Sequence, residues 1–166
     1  MKYTMSVLVE NHAGVLSKVS GLFSRRGFNI DSLAVGVTED PAISRITIIV
    51  DGDEYIVEQV EKQLNKLIDV IKVKTLRHGD FISQGLTLIK VSADAAARGE
   101  ILNIAEIMGA TIVDVTRESV TLSFAGSYEK TATLEDLLTP YGVLETVRTG
   151  TIALEKGSDI LRAKKA

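Results

Sequence analysis

Apolar and polar residues alternate from the first few positions of the chain. Tyr3, Met5, Val7 and Val9 alternate with Lys2, Thr4, Ser6 and Glu10, the mark of a half-buried strand. After the polar loop Asn11-His12-Ala13-Gly14, the period changes. Val15, Leu16, Val19, Leu22 and Phe23 fall on one face of a helix, and Gly27 is placed to stop it. A second strand is predicted over 28–38, rich in Ile30, Leu33, Val35 and Val37, with Glu39-Asp40-Pro41 as a turn. Ile46, Ile48 and Val50 alternate in a third strand that Gly52 ends. Ile56, Val57, Val60, Leu64 and Leu67 mark a second amphipathic helix, and 70–76 a fourth strand. The order is βαββαβ, which predicts a ferredoxin-like α+β domain: four antiparallel strands with two helices on one face.

The pattern then returns. A linker is predicted over 79–85, polar and carrying Gly79 and Gly85. Strands follow at 86–93, 111–116, 120–125 and 143–154, with Gly150 as a bend or bulge in the last. Helices are marked by Ile101, Ile104, Ala105 and Met108, and by Leu134, Leu137, Leu138 and Tyr141. Two ferredoxin-like domains in tandem are therefore expected, over 1–78 and 86–156, with a charged tail over 157–166 that frays. Each half is small for a lone core, and an open sheet exposes its edges, so pairing of two copies is expected.

Composition narrows the function. Hydrophobic residues make up 45% of the 166 and charged residues 25%, the mix of a soluble globular protein. A net charge of −3 lacks the basic face that phosphate backbones require. Aromatic residues are 5%, too few to line the central strands as base-stacking platforms, so nucleic acid is not an expected partner. No apolar run reaches a membrane span, and no basic and apolar leader opens the chain, so a cytoplasmic location is expected. There is no cysteine, which removes disulfides, thiolate metal sites and a Cys nucleophile.

Chemistry is sparse. The two histidines, His12 and His78, lack metal-ligand spacing and read as loop residues, so no metal site is expected. Neither a P-loop, a G-x-G-x-x-G nor a G-x-S-x-G occurs, and Asp51, Asp53 and Glu54 stand where helix caps belong, so no catalytic residue is assigned. Two segments invite a ligand. At the first strand-to-helix junction, Asn11 and Gly14 precede a helix N-terminus whose free N–H groups favour a carboxylate. On spacing alone this reading stands level with Asn11 as an ordinary cap and Gly14 as a turn residue. Asn29-Ile30-Asp31-Ser32 opens the second strand, where outward polar residues in a half-buried strand are the plainer reading.

A resemblance weights these choices. The first half resembles an ACT domain, a small-molecule-sensing βαββαβ module. More narrowly, Ser6-Val7-Leu8-Val9-Glu10-Asn11, Gly14-Val15-Leu16-Ser17 and the run Gly21-Leu22-Phe23-Ser24-Arg25-Arg26-Gly27-Phe28-Asn29-Ile30-Asp31-Ser32-Leu33 resemble the acetolactate synthase small-subunit family. Ser44-Arg45-Ile46-Thr47 and the run from Glu58 to Leu67 continue the likeness. Leu88-Ile89-Lys90-Val91 and Ile112-Val113-Asp114-Val115-Thr116 extend it into the second half. Phe81-Ile82-Ser83-Gln84-Gly85 is less acidic than is common in the family.

The resemblance implies a non-catalytic regulatory subunit that binds a separate large catalytic subunit, raises its activity and confers feedback inhibition by a branched-chain amino acid, typically valine. It implies no cofactor in this chain; thiamin diphosphate, Mg2+ and FAD belong to the catalytic subunit. It implies a homodimer through the ACT domains with the effector at their interface. Asn11, His12, Ala13, Gly14, Val15 and Leu16 would come from one copy, His12 and Ala13 through their backbones, and Asn29 and Ile30 from the other. Two other readings stand beside it: an ACT-type sensor acting on a different enzyme, and a stand-alone hydrolase of acylphosphatase type, for which no nucleophile–base pair is visible.

Overall fold

The computed structural model describes residues 1–163. Within them the expected order appears twice. The first pass comprises β1 (Lys2–Glu10), α1 (Val15–Arg26), β2 (Ile30–Val37), β3 (Ile43–Asp51), α2 (Glu54–Leu64) and β4 (Val70–Leu76). The second comprises β5 (Phe81–Ser92), α3 (Ala95–Met108), β6 (Thr111–Val115), β7 (Ser119–Gly126), α4 (Tyr128–Leu138) and β8 (Val143–Arg148), and a short β9 (Ile152–Glu155) follows. The first sheet runs β2-β3-β1-β4 and the second β6-β7-β5-β8, so both have the antiparallel ferredoxin-like order. No helix among the described residues is long and apolar enough to cross a membrane.

Each unit has its own core. In the first, Met5, Val7 and Val9 of β1 and Ile46, Ile48 and Val50 of β3 meet Val15, Val19, Leu22 and Phe23 of α1 and Val57, Val60 and Leu64 of α2. Phe23 also meets the ring of Phe28 edge-on, with centroids 6.2 Å apart. In the second, Ile89 and Val91 of β5 and Val120, Leu122 and Phe124 of β7 pack on Ile101, Ala105, Leu134 and Leu138. The helix punctuation follows the sequence: Gly27 ends α1 and Gly109 ends α3, both at positive φ, where a residue without a Cβ is favoured. Asp53, Asp94 and Ser127 cap α2, α3 and α4 through their side chains.

The structure departs from the sequence reading at both unit boundaries. The segment expected as a linker over 79–85 is mostly strand, because β5 begins at Phe81. The expected single strand over 143–154 breaks into β8 and β9 at Gly150, whose φ is 86°. A Cβ on Gly85 would lie 2.8 Å from the Gly150 carbonyl oxygen, so β5 needs a glycine there to let that corner close. The chain forms two compact units, Ser83–Gly150 and Met1–Ile82, and the stretch beginning at Thr151 belongs with Met1–Ile82 instead of with a domain over 86–156.

That return explains a burial pattern that simple alternation does not. Thr4, Ser6, Leu8 and Thr47 point away from α1 and α2, yet all are buried. The returning stretch lies on their face. Ser32 Oγ accepts the Thr151 N–H at 2.9 Å, Arg45 Nη2 donates to the Ala153 carbonyl at 2.9 Å, and Lys74 Nζ lies 2.6 Å from Glu155 Oε1. Ala153 is buried, and within the expected tail Leu161 is buried whereas 157–160 are exposed. Positions 164–166 of that expected tail lie outside the described residues.

Candidate functional site

The loop between β1 and α1 is tied down residue by residue. The Asn11 N–H donates to the Ala42 carbonyl at 2.8 Å, and its Nδ2 donates to the Pro41 carbonyl at 2.9 Å. Asn11 is therefore committed to the β2–β3 turn and does not cap α1. The N-cap position falls to Gly14, with φ 87° and no side-chain cap. The first turn of α1 holds no acidic residue either. Its leading N–H groups and the positive end of the helix dipole thus keep their affinity for an anion. A Cβ at Gly14 would meet nothing within 4 Å, so the approach is open. Val15 turns into the core, whereas Leu16 is 43% exposed beside that approach.

His12 has a side-chain role that a backbone-only reading omits. Its Nδ1 lies 3.2 Å from the Ala13 carbonyl, and its Nε2 lies 2.9 Å from Asp69 Oδ1 and 3.2 Å from Glu10 Oε2. Both ring nitrogens face oxygen acceptors, which suits the imidazolium. The Ala13 hydrogen bond is the main cause that holds the His12 pKa above its ordinary value; burial opposes it, and Asp69 and Glu10 add to it. Asp69 is buried and also accepts from Lys18 Nζ at 2.7 Å. That bond, opposed by burial and aided by His12, holds the Asp69 carboxyl below its ordinary value. Glu10, His12 and Asp69 place potential ligand atoms within 4.8 Å of one another. Lys18 and His12 both pair with Asp69, and His12 also meets Glu10, so the four side chains form a charge-balanced ion-pair cluster that ties the loop to the turn before β4.

Lys18 and Asp69 carry no sequence signal for this role. They are 51 residues apart, and Asp69 stands between apolar neighbours in a short turn. His78 is exposed in the turn before β5, as the sequence suggests.

The second segment sits at the opposite end of the sheet. Ile30 pairs with Val50 and Ser32 with Ile49, so Asp31 is an extra residue that bulges the strand. Asp31 is anchored by Lys2 at 3.0 Å and accepts from Asn29 Nδ2 at 3.3 Å, so it orients the exposed Asn29. Ile30 packs against the rim of the core. Glu10 pairs with Ile43 and Ile30 with Val50, near opposite ends of β3. Seven residues of strand, roughly 23 Å, separate the two segments within one chain. One copy does not bring them together.

The edge strand between them is unfinished. Among the described residues β2 has a neighbour on one side only. Val35 and Val37 lie on its helix-facing side, since Val35 pairs with the buried Ile46, yet they are 46% and 60% exposed. Their β-branched side chains leave apolar surface exposed on the helix-facing side of an open edge.

Comparison with known proteins identifies the family. Residues 5–72 match the AHAS small subunit-like ACT domain, and residues 84–157 match the family described as the small subunit of acetolactate synthase. A probable acetolactate synthase small subunit from Archaeoglobus fulgidus is 49% identical over 95% of this chain and 99% of its own length. The acetolactate synthase small subunit of Mycolicibacterium smegmatis is 47% identical over 98% of this chain and 96% of its own. The crystal structure of the small subunit from Thermotoga maritima superposes with a TM-score of 0.87 at 38% identity, covering 96% of this chain and 99% of that one. The chain therefore belongs to the family of acetolactate synthase small subunits, the regulatory subunits of that holoenzyme.

Proposed function

We propose that this chain binds the large catalytic subunit of acetolactate synthase, raises its activity, and makes it sensitive to a branched-chain amino acid, valine. Thiamin diphosphate, Mg2+ and FAD would reside on the catalytic subunit. The observation that carries the effector reading is the uncapped N-terminus of α1 behind Gly14, open to solvent beside the ion-paired His12, Lys18 and Asp69.

Two copies complete the site. If β2 pairs with its counterpart about a two-fold axis, the strands run antiparallel. The Ile30 end of one copy then lies by the Val37 end of the other. That end of β2 carries the turn to β3, whose Pro41 and Ala42 hold Asn11. Asn29 and Ile30 of one copy thus approach the 11–16 loop of its partner, and Val35 and Val37 become covered.

In this arrangement the effector carboxylate takes the N–H groups of Ala13, Gly14 and Val15. Because Asn11 Nδ2 is spent on Pro41, Asn11 Oδ1 is the atom that accepts from the ammonium. Leu16 and Ile30 offer the apolar wall for an isopropyl group. Inhibition requires that valine bind one arrangement of the dimer more tightly than another; each tenfold difference shifts that equilibrium by about 1.4 kcal/mol.

The test is acetolactate formation by the catalytic subunit, with and without this chain, across titrations of valine, leucine and isoleucine. Stimulation that valine reverses is expected. Absence of stimulation, with both proteins folded, would leave an ACT-type sensor of some other enzyme.

A further inference from the structure

The returning stretch is held at three points. It follows β8 in the chain, crosses Gly150, and docks on the outer face of the first sheet at three strands. Ser32 of β2 holds the Thr151 N–H, Arg45 of β3 holds the Ala153 carbonyl, and Lys74 of β4 pairs with Glu155. Ser32 is two residues beyond Ile30, across the Asp31 bulge. A change at Ile30 or in the bulge therefore moves the hydroxyl that holds Thr151.

The clasp is under-satisfied. Arg45 Nε and Glu155 Oε2 are both buried without a hydrogen-bond partner among the described residues. Burial pulls the Arg45 pKa below its ordinary value, and the charges of Glu155 and Glu39 act against that pull. Glu155 is only 15% exposed, with Lys74 as its direct partner and Arg45 near enough to feel its charge. Partly satisfied buried ion clusters select an arrangement more than they stabilise it. Such a clasp suits a segment with two positions of similar free energy.

We propose that residues 151–161 form a strap through which the state of β2 at the effector site reaches the second unit, with Ser32, Arg45 and Glu155 as positioning residues for inhibition and not for effector binding. This rests on the effector reading given above. The strap needs no contact with the ligand: it reads the displacement of β2 and carries it along the chain into β8.

The test uses full-length Arg45→Met, Arg45→Lys and Glu155→Gln chains assembled with the catalytic subunit. Valine binding is followed by calorimetry on the small subunit, activity by acetolactate formation, and strap protection by hydrogen exchange over 151–161. For Arg45→Met and Glu155→Gln, valine affinity should stay within about twofold of wild type, and stimulation without valine should persist. Inhibition at saturating valine should fall to less than about half of the wild-type extent, and valine should no longer change exchange over 151–161. Arg45→Lys, which keeps charge and one donor, should recover part of the inhibition. If Arg45→Met disrupts folding, the isosteric Glu155→Gln carries the test. Full inhibition at the wild-type valine concentration in a folded Glu155→Gln holoenzyme would overturn the strap. A wild-type chain that does not bind valine would defeat the effector reading, and the strap's role in that response with it.

Discussion

Gly14→Asp is expected to abolish valine inhibition while leaving stimulation of the catalytic subunit intact. Two effects act together. Gly14 sits at φ 87°, where an L residue pays roughly 1–2 kcal/mol. The new carboxylate would also stand where the effector's own carboxylate meets the α1 N–H groups, replacing attraction by repulsion. At about 1.4 kcal/mol per tenfold, the two should raise the half-inhibiting valine concentration by at least about a hundredfold. Gly14→Ala separates them. Its Cβ meets nothing within 4 Å, so only the backbone cost applies and the shift should be no more than about thirtyfold. The measurement is a valine titration of each reconstituted holoenzyme. Inhibition of Gly14→Asp at the wild-type concentration would remove the loop from the site.

The second large effect concerns the β2 edge. A Val35→Lys, Val37→Lys double variant should sediment as a monomer at concentrations where the wild type is a dimer, and its holoenzyme should ignore valine. Each substitution puts a charge on the helix-facing side of the open strand, where the partner would have to desolvate it opposite a like charge. The dimer dissociation constant should rise by roughly a thousandfold or more. The monomer should remain folded, since both side chains are already about half exposed or more. A double variant that stays dimeric would place the interface elsewhere on the unit.

The sequence showed some of this and hid the rest for physical reasons. Periodicity exposed the first βαββαβ pass because the apolar residues of β1, β3, α1 and α2 fall on one face at the expected spacing. Gly27 and Gly109 marked helix ends because only their backbones had to be special. The return at Thr151 was not legible. Gly150 marked a bend, but the segment stays rich in apolar residues through Ile152 and Leu154, so nothing local says that the chain has passed from one unit to the other. For the same reason Thr4 and Ser6 read as the outward positions of a half-buried strand although they are buried.

The loop from Asn11 to Leu16 stood out by composition and position. Its bracing did not, because Pro41, Ala42 and Asp69 reach it only through tertiary structure. Asn11 illustrates the difference. As an Asn before a helix it has the form of a cap, yet the turn at Pro41 takes its amide and leaves the helix end free.

The central claim is that each effector site is shared by two copies. Gly14→Asp and Asn29→Asp chains, each valine-insensitive alone, can be co-expressed and the mixed dimers titrated with valine. If the loop of one copy faces Asn29 of the other, each mixed dimer carries one doubly altered site and one unaltered site. With random pairing, about one site in four should then bind valine as in wild type, and inhibition should partly return. If loop and Asn29 served one site within a single chain, every site would carry a lesion, and the mixture would stay as insensitive as its parents.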